Sequence, residues 1–130
     1  MSNAQVHILV AEDDEVNLLI AEHILGKRGY AVFTAENGET AARLVQEHTF
    51  DLILMDIEMP VMDGLEATAL IRSTERGQVI PIVALTAHTL PEKLEKFKEL
   101  GMNDYIVKPF DIAKFDEVAL PLLPPGVSSA

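Results

Sequence analysis

The chain contains no cysteine. Disulfides and thiolate metal sites are therefore excluded, and the composition fits a reducing compartment such as the cytoplasm. Positive charge is scarce: 10 Lys and Arg stand against 21 Asp and Glu, a formal net charge of −11. A nucleic-acid binder needs a basic face to displace counterions from phosphates. The Lys27-Arg28 doublet, placed at an expected helix end, is no such face, so no direct nucleic-acid partner is expected. No apolar run approaches the roughly 20 residues of a membrane span. The N-terminus lacks the charged-then-apolar order of a signal peptide, so no direct membrane partner is expected either. Internal repeats and low-complexity segments are also missing.

What the chain does have is apolar content. At 130 residues and 48% hydrophobic, it is long enough for one core that buries roughly two-thirds of the unfolded surface. One domain is expected over residues 6–121. Residues 1–5 are read as an N-terminal extension of the sort a cloning step leaves, and 122–130 as a flexible tail.

Five short apolar runs stand out: Val6 to Ala11, Ala31 to Ala35, Asp51 to Asp56, Pro81 to Thr86 and Asp104 to Lys108. Three are almost continuously apolar, the pattern of parallel strands covered on both faces. Helical patterns with start signals lie between and after them. Asp14 can cap a helix carrying Val16, Ile20 and Ile24 on one stripe and closing near Gly26 or Gly29. Asn37 can cap Gly38 to His48. Asp63 with Glu66, and Thr89 with Glu92, have capping-box spacing. The helix after Thr89 shows Leu94, Phe97 and Leu100 and stops at Gly101. Asp111 can cap a last helix with Ile112, Phe115 and Val118, ended by Pro121, Pro124 and Pro125. Five β-α repeats predict an α/β fold: a flavodoxin-like, doubly wound five-stranded parallel sheet of order 2-1-3-4-5 with five helices. In such sheets ligands sit beyond the carboxyl ends of the strands, where the order reverses between the first and third.

The residues ending those strands are chemically distinctive. The first run ends in Glu12, Asp13 and Asp14, the third in Asp56, the fourth in Thr86 and the fifth in Lys108. Carboxylates gathered at one edge repel and raise each other's pKa values, a conflict that a divalent cation removes. All-oxygen donors suit a hard ion such as Mg²⁺, with the Glu58 main-chain carbonyl as a further candidate ligand. No His or Cys is placed for zinc. A hard ion, a carboxylate, a hydroxyl and an ammonium together are a kit for phosphoryl transfer, in which a carboxylate can form an acyl phosphate. Asp56, on the central strand, is the best nucleophile.

Blander readings exist for single residues. Asp14 and Asp63 are better explained as helix caps, Gly64 as a turn residue and Asp51 as a solvated strand start. Thr86 taken alone is a β-branched strand residue, Tyr105 a core ring with a wet hydroxyl, and Lys108 a surface lysine. His7, His23, His48 and His88 default to the surface. The charge run Pro91 to Leu100 reads as a solvated helix face with i,i+4 pairs.

The set "ILVAEDDEVN", "DLILMDIEMPVMDG", "PIVALTAH" and "DYIVKPF", in this order and spacing, resembles the receiver domains of two-component response regulators. "AEDDEVN" and "MPVMDGLEA" are most similar to receivers attached to hybrid sensor histidine kinases. The resemblance runs from about Ile8 to Phe110. It implies that Asp56 is the phosphoacceptor, with Glu12 and Asp13 as the acidic pair. Asp13 would be the more direct Mg²⁺ ligand and Glu12 would act through water, with the Glu58 carbonyl as another ligand and Mn²⁺ as a substitute ion. It further implies that Thr86 is the switch hydroxyl, Lys108 the phosphate-binding lysine on a cis bond to Pro109, and Tyr105 the switch aromatic. A Glu-Asp pair stands where the family often has Asp-Asp, and Glu58 and His88 hold positions that vary within it.

The expected function is a phosphoacceptor switch rather than an enzyme. Its partners would be a histidine kinase or a histidine phosphotransfer domain. A downstream effector or a second copy would bind the face of the fourth helix, fifth strand and fifth helix. Two rivals remain: a receiver-like binding module that is never phosphorylated, and a phosphatase of another doubly wound fold. The intact residue set opposes the first. Against the second, Glu58 stands where a second acid-base Asp is needed, and no room exists for a substrate-cap domain.

Overall fold

The computed structural model describes residues 6–87 and 91–124. Five strands, β1 (His7–Ala11), β2 (Ala31–Ala35), β3 (Leu52–Asp56), β4 (Ile82–Thr86) and β5 (Asp104–Val107), alternate with five helices. These are α1 (Glu15–Lys27), α2 (Gly38–Glu47), α3 (Gly64–Arg72), α4 (Pro91–Glu99) and α5 (Ile112–Val118), followed by a 3₁₀ turn at Leu120–Leu122. All pairings are parallel, in the order β2-β1-β3-β4-β5. The expected doubly wound architecture is the observed one. The readings made at residues 1–5, His88, Thr89, Leu90 and 125–130 lie outside the described residues. No described helix is long and apolar enough to cross a membrane.

The strands alternate between two apolar layers, which is why their sequences look uniformly hydrophobic. Leu9, Ile53, Met55 and Ile82 face the layer closed by α2, α3 and α4, with Ile71 and Phe97. Ile8, Val10, Leu54 and Val83 face the layer closed by α1 and α5, with Leu25 and Phe115. β3 and β4 are buried at every position, so the ends of the central strands are held rigidly.

Among the described residues, the caps fall where the sequence put them. Asp14 accepts hydrogen bonds from the amides of Val16 and Asn17, Asn37 from Thr40, and Asp111 from Lys114. Asp63 and Glu66 form a complete capping box, with Glu66 N–H donating to Asp63 Oδ1 at 2.8 Å and Asp63 N–H to Glu66 Oε1 at 3.4 Å. Asp63→Ala is expected to cost about 1 kcal/mol, a fall in Tm of roughly 3–5 °C. An unchanged thermal midpoint would show that the cap contributes nothing.

Several readings change. The stripe Val16, Ile20, Ile24 is not the core face of α1. Leu18, Ala21 and Leu25 are buried, whereas Val16 is 63% and Ile20 44% exposed. The helix is apolar around most of its circumference, so periodicity alone could not choose the buried side. Asp51 is not simply solvated: its Oδ2 accepts the His7 amide at 2.8 Å and caps the start of β1. His7 is half-buried against Phe33 rather than on the surface. Beyond the expected boundary at residue 121, Leu123 is buried in the α1/α5 layer. An ion pair the sequence did not suggest joins the residue that caps the end of α1 to α5, with both Arg28 Nη nitrogens on the Asp116 carboxylate at 2.8 and 3.1 Å.

Candidate functional site

The register of the sheet delivers the chemistry-bearing residues to one edge. Ala11 pairs with Met55, Asp56 with Leu85 and Thr86 with Val107, so the residues following β1 and β5 flank the ends of β3 and β4. Glu12, Asp13, Asp56, Glu58, Thr86 and Lys108 line one open cleft of about 550 Å³. Glu12, Asp56 and Thr86 are buried there, whereas Asp13 is exposed.

Lys108 stands among the acids. Its Nζ donates to Asp56 Oδ2 at 2.9 Å and lies 3.2 Å from Glu12 Oε2. The Lys108–Pro109 bond is cis, as expected. The other oxygen of Asp56 accepts the Glu58 amide at 3.2 Å, and Glu12 Oε1 accepts the Asn17 side-chain amide at 3.1 Å. Burial, together with the neighbouring Glu12 carboxyl, pushes the Asp56 pKa up from 3.8 to about 6 against the opposing pull of Lys108. Burial is also the largest influence on the Lys108 ammonium and pulls its pKa down. The hydrogen bond and charge of Asp56, with the charge of Glu12, outweigh it and leave the value raised.

These residues fit a divalent cation. One oxygen from each of Glu12, Asp13 and Asp56 lies within 4.8 Å of the others. Glu12 Oε2 is buried and, although within ion-pairing distance of Lys108, has no hydrogen bond. A buried acceptor left this way is costly, and a hard oxygen-seeking ion such as Mg²⁺ would relieve it. Mg²⁺ would supply positive charge to offset the clustered carboxylates and the oxygens of an incoming phosphoryl group.

The loop after Asp56 is shaped more tightly than its sequence suggests. Gly64, read above as a turn residue, is the first residue of α3 and donates its N–H to Ile57 O at 3.0 Å. A Cβ there would lie 2.1 Å from the Asp56 carbonyl oxygen. Val61 has φ 67° in a turn closed by Met62 N–H donating to Pro60 O, an unfavourable conformation for a β-branched residue. The Met62 carbonyl in turn accepts the Gly38 amide at 2.8 Å, which ties the loop to α2. Nothing in the residue types at 60–62 announced this turn.

A second opening adjoins the cleft. It is an apolar groove of about 340 Å³ between α1 and the segment after β5, lined by Val10, Ile20, Leu85, Pro109 and Phe110. It shares Glu12, Asn17 and Lys108 with the acidic cleft. The exposed Val16, Leu19 and Ile20 continue its apolar character along α1. Neither this groove nor the role of Asn17 was read from the sequence. Tyr105, half-buried on β5, packs against the layer that contains Phe97 and Met102.

Comparison with known proteins agrees with this geometry. The sequence pattern described as "Response regulator receiver domain" matches residues 8–119. The sensor protein GacS of Pseudomonas syringae pv. syringae is 39% identical over 123 residues, 92% of this chain, and the chain spans 14% of the length of that protein. The crystal structure of the receiver domain of sensor histidine kinase PA1611 from Pseudomonas aeruginosa, with a magnesium ion coordinated in its active-site cleft, superposes with a TM-score of 0.80. It is 41% identical, and the match covers 87% of this chain and 93% of that one. A third match is the receiver domain of a Saccharomyces cerevisiae response regulator in complex with its histidine phosphotransfer signalling protein. There the TM-score is 0.82, with 29% identity and 95% of each chain covered. With the sheet order, the acidic cleft and its lysine in place, the chain belongs to the response regulator receiver domains of two-component signalling.

Proposed function

We propose that this receiver is a phosphoacceptor switch of a phosphorelay and that Asp56 takes the phosphoryl group. The observation that carries this reading is the 2.9 Å contact of Lys108 Nζ with Asp56 Oδ2, at the end of a fully buried strand. The Glu58 amide on Oδ1 and the lysine on Oδ2 orient the carboxylate. With a pKa of about 6 it is ionised at neutral pH, yet more basic than an ordinary aspartate. An oxygen of Asp56 attacks phosphorus, the bond from phosphorus to the histidine nitrogen of the donor breaks, and the imidazole leaves with its electron pair. Lys108 then follows the phosphoryl oxygens, and the Thr86 hydroxyl donates to one of them. Glu12, Asp13, Asp56 and the Glu58 carbonyl are the groups that would hold Mg²⁺, with Mn²⁺ able to substitute.

The donor in this reading is a histidine kinase or a histidine phosphotransfer protein, as in the yeast complex. The exposed Ile20, which lines the groove adjoining the cleft, offers it apolar surface. Movement of Thr86 toward phosphate, followed by Tyr105, alters the face made by α4, β5 and α5 toward an effector or a second copy. Differential stabilisation of a few kcal/mol suffices for such a shift. The reading includes a cytoplasmic location and no turnover beyond self-catalysed phosphorylation and dephosphorylation.

Acetyl phosphate with Mg²⁺ tests it. The expected product carries one phosphoryl group, and borohydride reduction of the acyl phosphate maps it to Asp56. Phosphate on another residue, or an equal response from Asp56→Asn, would overturn the assignment.

A further inference from the structure

We infer that Asn17 is a positioning residue for the acidic centre: by holding Glu12 Oε1 it keeps Oε2 turned toward the cation site and so sets the affinity for Mg²⁺. The inference rests on the phosphoacceptor reading and deepens it.

Glu12 follows β1 directly and is 2% exposed, so its carboxylate has few partners to choose from. Lys108 approaches both of its oxygens, at 3.5 Å from Oε1 and 3.2 Å from Oε2, but that ammonium is engaged more closely by Asp56 at 2.9 Å. The Asn17 amide, donating to Oε1 at 3.1 Å, is therefore the contact that distinguishes one oxygen from the other. With Oε1 taken, Oε2 is left buried and without a hydrogen bond, the state in which an oxygen gains most from a cation. Removing Asn17 frees the carboxylate to rotate toward Lys108. Its oxygens, already 3.5 and 3.2 Å from the ammonium, would then close further on it and withdraw from the site where Glu12, Asp13 and Asp56 converge. Hydrogen bonds that orient metal-binding carboxylates are typically worth 10–100-fold in metal affinity.

The residue type and placement suit this role. A neutral amide donates without bringing a positive charge against the cation, as Lys or Arg would, and without adding a further carboxylate to the cluster. The side chain starts from a fixed point, because the Asn17 backbone N–H donates to the capping Asp14 at 3.3 Å in the first turn of α1. Asn17 is exposed and lines both the acidic cleft and the apolar groove. Its side chain thus forms part of the wall between the ion site and the α1 surface, and its removal disturbs no core packing.

The test uses the full chain with Mg²⁺ alone, titrated by amide chemical shifts around Asp56. Asn17→Ala is expected to weaken Mg²⁺ binding about 10-fold with an unchanged Tm. In phosphorylation by acetyl phosphate, the Mg²⁺ concentration for half-maximal rate should rise by about the same factor, while the rate at saturating Mg²⁺ stays within about 3-fold. Val16→Ala, on the same turn and without a polar side chain, should leave Mg²⁺ affinity within about two-fold of wild type. The inference is overturned if Asn17→Ala binds Mg²⁺ as wild type does, if Val16→Ala weakens binding as much, or if the loss comes with a fall in Tm. Those results leave the phosphoacceptor reading intact. A wild-type chain that fails to bind Mg²⁺ at all would overturn both.

Discussion

Asp56→Asn will stabilise the metal-free protein at neutral pH while abolishing its phosphorylation. The Asp56 pKa is raised from 3.8 to about 6, chiefly by burial and by Glu12. A carboxyl that binds its proton more tightly when folded favours folding while protonated. Its contribution becomes unfavourable as pH rises from 3.8 to about 6 and stays so above. A shift of about two pKa units corresponds to roughly 3 kcal/mol. The cleft above Asp56 is open, so solvent screening reduces the expected gain for Asn to about 1–2 kcal/mol. Chemical denaturation of both proteins without divalent ions checks this. The stability difference between variant and wild type should be small near pH 4, grow through pH 6 and level off above it. Millimolar Mg²⁺ should narrow the gap by binding the native wild type better. A variant less stable than wild type at pH 7 without metal would mean that the Lys108 ion pair outweighs the desolvation of Asp56.

Gly64→Ala should damage fold and site together. Its new Cβ would sit 2.1 Å from the Asp56 carbonyl oxygen, 2.9 Å from the carbonyl carbon and 3.0 Å from Ile57 Cα. All three are backbone atoms at the end of a strand buried along its whole length, so no side chain can swing aside. Either the start of α3 must retreat, straining the Gly64 N–H bond to Ile57 O, or the end of β3 must shift. Overpacking of this kind costs about 3 kcal/mol or more. A displacement of about 1 Å at a reacting carboxylate is worth roughly 100-fold in rate. The expected result is a lowered Tm together with markedly slower phosphorylation by acetyl phosphate under conditions where the variant remains folded. A fully active variant with a wild-type Tm would show that the start of α3 is free to move.

These two positions illustrate how much was legible in advance. Asp56 could be placed in the cleft because three signals coincided: a carboxylate ending an apolar run, a fold rule that places ligands at strand ends, and Thr86 and Lys108 ending the two strands that lie beyond its own in the sheet. Gly64 could not. "DG" before a helix reads as a cap and a turn, and only the packed backbone shows that a methyl group would meet the Asp56 carbonyl. The capping box at Asp63 and Glu66 was legible because its contacts span three residues. The Asp51 cap on His7 was not, because its partners lie 44 residues apart.

The sequence by itself determined the order of strands and helices, the caps, the parallel sheet and the set of residues at its carboxyl edge. Those features follow from local periodicity, from hydrogen bonds within a turn, and from the few topologies open to five β-α repeats. Only the tertiary structure decided which side of α1 is buried, that Val16, Leu19 and Ile20 lie exposed, that Asn17 holds Glu12, and that Val61 takes a positive φ in its turn. It also decided the protonation of the site, since the same Asp56 in an unfolded chain would titrate as an ordinary carboxylate. The physical reason is common to all of these. Burial, electrostatic environment and close approach depend on which distant segments pack against a residue, and neighbours in the sequence carry no record of that.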